Sequence, residues 1–94
     1  MQDNQGKLEV EVTISNTQGL HARPVMRFVD LAGQFQCSIR VKKGSTDVDG
    51  KSPMEMLLLE GTKGTVLRLE AVGPDARSAL DALIKLINDG FGEE

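Results

Sequence analysis

Leu8-Glu9-Val10-Glu11-Val12-Thr13-Ile14-Ser15 alternates apolar and polar residues without a miss, and a few positions later the period changes. Alternation puts Leu8, Val10, Val12 and Ile14 on one side of an extended chain, which predicts a strand with one buried face. From Ala22 to Gly33, Val25, Phe28, Val29 and Ala32 recur at helical spacing, with Arg23, Arg27, Asp30 and Gln34 opposite them. That pattern predicts an amphipathic helix over 22–33. Pro24 is tolerated in its first turn, and Gly33 ends it. The polar loop Asn16-Thr17-Gln18-Gly19 joins the two elements.

Working outward, Phe35, Cys37, Ile39 and Val41 alternate with polar neighbours and predict a second strand. Lys43-Gly44-Ser45 turns the chain into a short strand around Val48, closed by Asp49-Gly50. Ser52-Pro53-Met54-Glu55 combines Ser at an N-cap, Pro at the first helical position and Glu two places later, which predicts a short helix over 53–60. Residues 65–72 predict a further strand with Leu67, Leu69 and Ala71 on its buried face. Asp75 reads as N-cap of a last helix over 76–89, whose stripe is Ala76, Ala79, Leu80, Leu83, Ile84 and Ile87, with Asp81 and Lys85 as a surface pair.

The order is β-α-β-β-α-β-α. Alternating strands imply a sheet wet on one side, so all helices must cover the other. The expected fold class is α+β, a two-layer open-faced sandwich. Ninety-four residues suit a single domain over 1–94, with a core of about 7–90, a polar N-terminal tail and an acidic C-terminal one.

Eleven Lys and Arg against fourteen Asp and Glu give a net charge of −3, which argues against nucleic acid or anionic lipid as partner. The absence of Trp and Tyr leaves few rings for base stacking. A polar start, no long apolar run and one cysteine predict a cytoplasmic chain without membrane insertion. One His and one Cys cannot assemble a zinc cluster or a protease triad, so no metal, cofactor or independent enzymatic turnover is expected.

His21 stands where the loop meets the first helix. Helix starts carry unpaired N–H groups and partial positive charge, and Arg23 adds a guanidinium able to grip a phosphate. A neutral imidazole is a competent nucleophile at about pH 7. The plain alternative is a surface helix cap. Ser52 is likewise either an N-cap alone or also a phosphorylation site. The segment Gly44 to Ser52 lacks P-loop spacing and carries Asp47 and Asp49, so it is no phosphate cradle. Met54, Met56, Leu57, Leu58 and Leu59 exceed what one short helix can bury, and some are expected on the surface as a docking patch. Cys37 reads as a buried hydrophobe, and Arg40, Lys42 and Lys43 as a solvated face.

Gly19-Leu20-His21-Ala22-Arg23-Pro24 resembles the active-site signature of the histidine-containing phosphocarrier protein (HPr) family of the bacterial sugar phosphotransferase system. Gly50-Lys51-Ser52, leading into Met54-Glu-Met-Leu-Leu-Leu and Gly61, resembles that family's regulatory serine segment, in register with the first motif. The resemblance covers roughly 7–92. It implies antiparallel strand order 1-4-2-3 with three helices on one face. It also implies a phosphocarrier, not an enzyme. His21 would take a phosphoryl group on Nδ1 from phosphorylated enzyme I and pass it to enzyme IIA. Arg23 and the backbone N–H groups of Ala22 and Arg23 would stabilise the phosphate. Ser52 would be the site of a kinase/phosphorylase, and Leu20, Met54 and Leu57 would belong to the partner-docking surface. A monomer is expected.

Two residues depart from the family pattern. Pro53 stands where relatives commonly carry an aliphatic residue, and Glu55 where a small one is frequent, so kinase access to Ser52 is affected. The competing expectation is a regulatory binding module, in which phosphorylated Ser52 recruits a transcriptional regulator without sugar transport. A small phosphatase using the same anion site is a third, disfavoured by the lack of a second catalytic group.

Overall fold

The computed structural model describes residues 2–4 and 6–92. The strands are β1 (Gln2–Asn4), β2 (Lys7–Thr13), β3 (Ser38–Lys43), β4 (Thr46–Asp49) and β5 (Val66–Val72). The helices are α1 (Ala22–Ala32), α2 (Pro53–Leu57) and α3 (Ala76–Asn88), followed by a single 3-10 turn at Gly90–Gly92. The strands form one antiparallel sheet in the order β1-β2-β5-β3-β4. Its last four strands reproduce the expected order 1-4-2-3. The fold is an open-faced sandwich of the expected kind.

α3 lies across β2 and β5, while α1 packs on α3 and α2, and α2 on β4. The periodic residues do what their spacing predicts. Leu8, Val12, Ile14, Ile39, Val41, Leu67, Leu69 and Ala71 point into the same core as Val25, Phe28, Ala79, Leu80, Leu83 and Ile87. Each large side chain buried there contributes about 1.5–3 kcal/mol. The opposite face carries a charge ladder. Glu70 Oε2 accepts from Lys42 Nζ at 2.7 Å and pairs with Lys7 Nζ at 3.2 Å, and Arg40 Nε donates to Asp47 at 3.0 Å. Hydrogen bonds from Lys42 hold the Glu70 carboxyl below its ordinary range.

Several expectations need correction. The polar N-terminal tail contains β1, an edge strand that pairs Gln2 with Glu9 and Asn4 with Lys7. Glu93 and Glu94 of the expected acidic tail lie outside the described residues. Before them the chain is anchored, because Phe91 is fully buried. β3 begins at Ser38 and not at Phe35, since Asp75 captures the preceding amides. Its carboxylate accepts from Gln36 N–H and Cys37 N–H at 2.8 Å each, which draws the Asp75 pKa down. For the same reason Asp75 is the N-cap residue of α3 without its side chain accepting a cap hydrogen bond.

α2 stops at Leu57 and does not reach Glu60. The amides of Leu58, Leu59 and Glu60 bond three residues back, and Glu60 turns left-handed (φ 51°). This tightening lets Leu59 enter the core while Leu58 faces outward. α3 ends at Asn88, and Lys85 pairs with Asp89 at 3.2 Å and not with Asp81.

Candidate functional site

His21 is the N-cap residue of α1. Its backbone is extended (φ −94°, ψ −171°), its side chain makes no cap hydrogen bond, and its carbonyl accepts the Val25 N–H at 3.1 Å. The ring is half-buried, and Ala22 and Arg23 follow it as exposed residues of the first turn. The first turn of α1 contains no acid. The helix dipole and the Arg23 guanidinium therefore add, with no carboxylate in that turn to oppose them.

The loop that presents His21 is fastened to the far end of the α2 segment. Leu20 N–H donates to Gly61 O at 2.8 Å, while Ile14 N–H donates to Thr65 O at 2.9 Å and Gly64 N–H returns to Ile14 O at 2.8 Å. Gly19 sits at φ +67°, and a Cβ there would lie 2.3 Å from the Gly61 oxygen. Only glycine fits so close an approach in a left-handed conformation.

Ser52 caps α2 by accepting the Glu55 N–H at 3.2 Å. The Glu55 side chain does not return to the Ser52 N–H: Glu55 Oε1 accepts from Asp49 N–H at 3.0 Å, and the Ser52 N–H bonds to Asp49 O. The Glu55 carboxylate thus lies in the first turn behind Ser52, while the Asp49 carboxylate accepts from Lys51 N–H at 2.9 Å. The two helix starts differ in kind, one free of acid in its first turn and one already occupied by it.

Met54 and Leu58 are 78% and 66% exposed, and Leu57 and Met26 are both 44% exposed. Met54, Leu57 and Leu58 are the outward part of the expected apolar cluster, and Met26 is an addition to it. Leu20, expected among them, is instead a core residue at 6% exposure, its side chain against Gly61. Cys37 is buried as expected, and burial together with the neighbouring Asp75 pushes its thiol pKa up to about 11. Lys43 is not simply solvated, since its Nζ donates to Leu59 O at 2.7 Å. Asn16, the buried amide in the His21 loop, carries no signal in the sequence beyond its place ahead of Gly19.

Comparison with known proteins decides the family. A family model described as the PTS HPr component phosphorylation site matches residues 8–89. This chain belongs to the HPr family. Phosphocarrier protein HPr of Pseudomonas aeruginosa is 45% identical over 85 residues, covering 89% of this chain and 94% of the relative. Phosphocarrier protein NPr of Escherichia coli is 36% identical over 84 residues, covering 88% and 93%. Among solved structures, HPr-C-His from Thermoanaerobacter tengcongensis superposes with a TM-score of 0.89 at 42% identity, covering 93% of this chain and 98% of that one. The solution structure of Crh, the catabolite repression HPr of Bacillus subtilis, gives 0.64 at 31% identity, covering 85% and 95%. The protein is an HPr phosphocarrier of the phosphotransferase system, a component that carries the group and not a catalytic enzyme. Among the described residues, no helix is long and apolar enough to cross a membrane.

Proposed function

We propose that His21 is the phosphoryl acceptor, taking the group on Nδ1 from phosphorylated enzyme I and handing it to enzyme IIA. The Nδ1 lone pair forms the phosphorus–nitrogen bond as the bond between phosphorus and the donor breaks, and the reverse exchange discharges the ring. Arg23 and the amides of Ala22 and Arg23 offset the phosphate's charge. The observation that carries this reading is the acid-free start of α1, with His21 at its N-cap and the side chain making no cap bond. A helix terminus contributes about 0.3–1 kcal/mol, up to ~2 when partly buried. Such a seat holds a phosphoryl group without trapping it. Met54, Leu57 and Leu58, all exposed, supply the docking surface.

Phosphoenolpyruvate and purified enzyme I should place one acid-labile phosphate on the chain. His21→Ala should abolish it, and Arg23→Gln should slow it. Labelling retained in His21→Ala would refute the assignment.

A second reading gives Ser52 a regulatory role through an ATP-dependent kinase/phosphorylase and a transcriptional regulator. The likeness to Crh, described as a catabolite repression HPr, favours it. A phosphate on Ser52 would meet the Glu55 carboxylate in the first turn of α2, so this arm works against local charge. Incubation with that kinase and ATP tests it: acid-stable phosphate confined to Ser52, lost in Ser52→Ala, supports regulation, and an unlabelled chain excludes it.

A further inference from the structure

Asn16 is the only buried polar or charged residue among those described, at 1% exposure. Its Nδ2 donates to Gly19 O at 2.8 Å, and its own carbonyl accepts Gly19 N–H at 3.2 Å. The same Gly19 oxygen accepts the backbone N–H of His21 at 3.1 Å. One carbonyl therefore joins the Asn16 amide to the His21 backbone. The other half of that amide is unmatched, since Oδ1 has no hydrogen-bond partner among the described residues. A buried acceptor without a partner is destabilising, and an alanine would carry no such penalty. The donor half is thus what the position supplies.

We infer that Asn16 is a positioning residue for phosphoryl transfer, fixing the Gly19 carbonyl and through it the backbone from which the His21 ring projects. The inference rests on His21 being the phosphoryl acceptor. Gly19 needs such a fastening, because a glycine at φ +67° has no side chain to limit its torsions. Rotation about Gly19 would swing His21 relative to the α1 amides and spoil the alignment that a transfer between two proteins requires. Asn16 touches neither ring nor docking patch in this scheme. Its loss should appear in the transfer step and not in the affinity for enzyme I.

The test compares Asn16→Ala, which removes the donor, with Asn16→Ser, whose hydroxyl can close the same turn. Both are assayed with phosphoenolpyruvate and enzyme I at a temperature where circular dichroism shows them folded, alongside His21→Ala. Asn16→Ala should lower kcat roughly tenfold with KM within about twofold, and Asn16→Ser should recover to within about threefold of wild type. The Gly19 and His21 amide resonances should move in Asn16→Ala and return in Asn16→Ser. Should Asn16→Ala fail to fold, Asn16→Asp replaces it at about pH 8, where the ionised carboxylate cannot donate. Equal kcat with and without the donor, with His21→Ala unlabelled, overturns the positioning role alone. Labelling that survives His21→Ala overturns the carrier assignment and this inference with it.

Discussion

Replacing Gly19 by alanine should damage the fold well beyond the same change at Gly44, although both glycines are left-handed, at φ +67° and +57°. A side chain held in that region costs about 1–2 kcal/mol from backbone strain alone. At Gly44 the cost should stop there, because an added Cβ has nothing within 4 Å. At Gly19 the Cβ would stand 2.3 Å from Gly61 O and 2.9 Å from Thr62 Cα. Both obstacles are backbone, so no rotamer change relieves them. Overpacking of this kind costs about 1–3 kcal/mol. Separating the segments also strains the Leu20 N–H to Gly61 O bond, now 2.8 Å, a bond worth ~0.5–1.5 kcal/mol. The sum is roughly 2.5–6.5 kcal/mol, a large share of the 5–15 kcal/mol typical of a domain. Urea unfolding of both variants, followed by circular dichroism, measures the difference. A Gly19→Ala midpoint no lower than that of Gly44→Ala would show that the loop yields freely, and the reasoning from close approach would fail.

Other consequences follow from single contacts. Glu70 accepts from Lys42 and pairs with Lys7, which lowers its pKa, so its contribution of about 1 kcal/mol is complete above the ordinary value of 4.5 and disappears as pH falls through the lowered one. Thermal unfolding between neutral and acid pH should show wild type losing stability more steeply than Glu70→Gln; a gap independent of pH would refute the pairing. Ser52→Ala should cost about 1 kcal/mol through the lost α2 cap and leave histidine labelling unchanged, as paired denaturation and phosphorylation assays would read. Phe91→Ala should cost about 3–5 kcal/mol by denaturant titration, because the ring is fully buried although it follows the last helix. Near-neutral stability in that variant would mean the C-terminal turn is only loosely seated.

The parts of this fold legible from sequence are those whose burial is periodic within one element. Leu8 and Val12 declare β2, and Ala79, Leu80, Leu83 and Ile87 declare α3, because spacing alone decides which face turns inward. What escapes is set by partners distant along the chain. Phe35-Gln36-Cys37 alternates like a strand, yet Asp75 takes the amides of Gln36 and Cys37 and delays β3 to Ser38. Gln2–Asn4 offers no apolar alternation, and only the free edge of β2 recruits it. Phe91 has no periodic companion, so Gly90 announces the end of a helix without revealing that the next residue returns to the core. At the site, the His21 and Arg23 signature is legible, whereas the burial of Leu20 and Asn16 depends on how their loop meets Gly61 and Gly19.

The two helix starts differ in the charge they would present to a phosphate. α1 has eleven residues and no acid in its first turn, whereas α2 has five residues and places Glu55 there. The carboxylate of Glu55 is already held by an amide of the preceding strand, so negative charge at that end is supplied from within. A phosphate at His21 gains from the helix field, while one at Ser52 competes with a resident anion. The gain at His21 stays small, up to ~2 kcal/mol, which is close to the 1.4 kcal/mol that separates tenfold differences in equilibrium. A seat this weak cannot choose its partners. Selection has to come from surface that the phosphate does not touch, and Met54 and Leu58 are the most exposed large apolar side chains on offer. Weak holding and separate docking are together what lets a carrier both receive a group and release it.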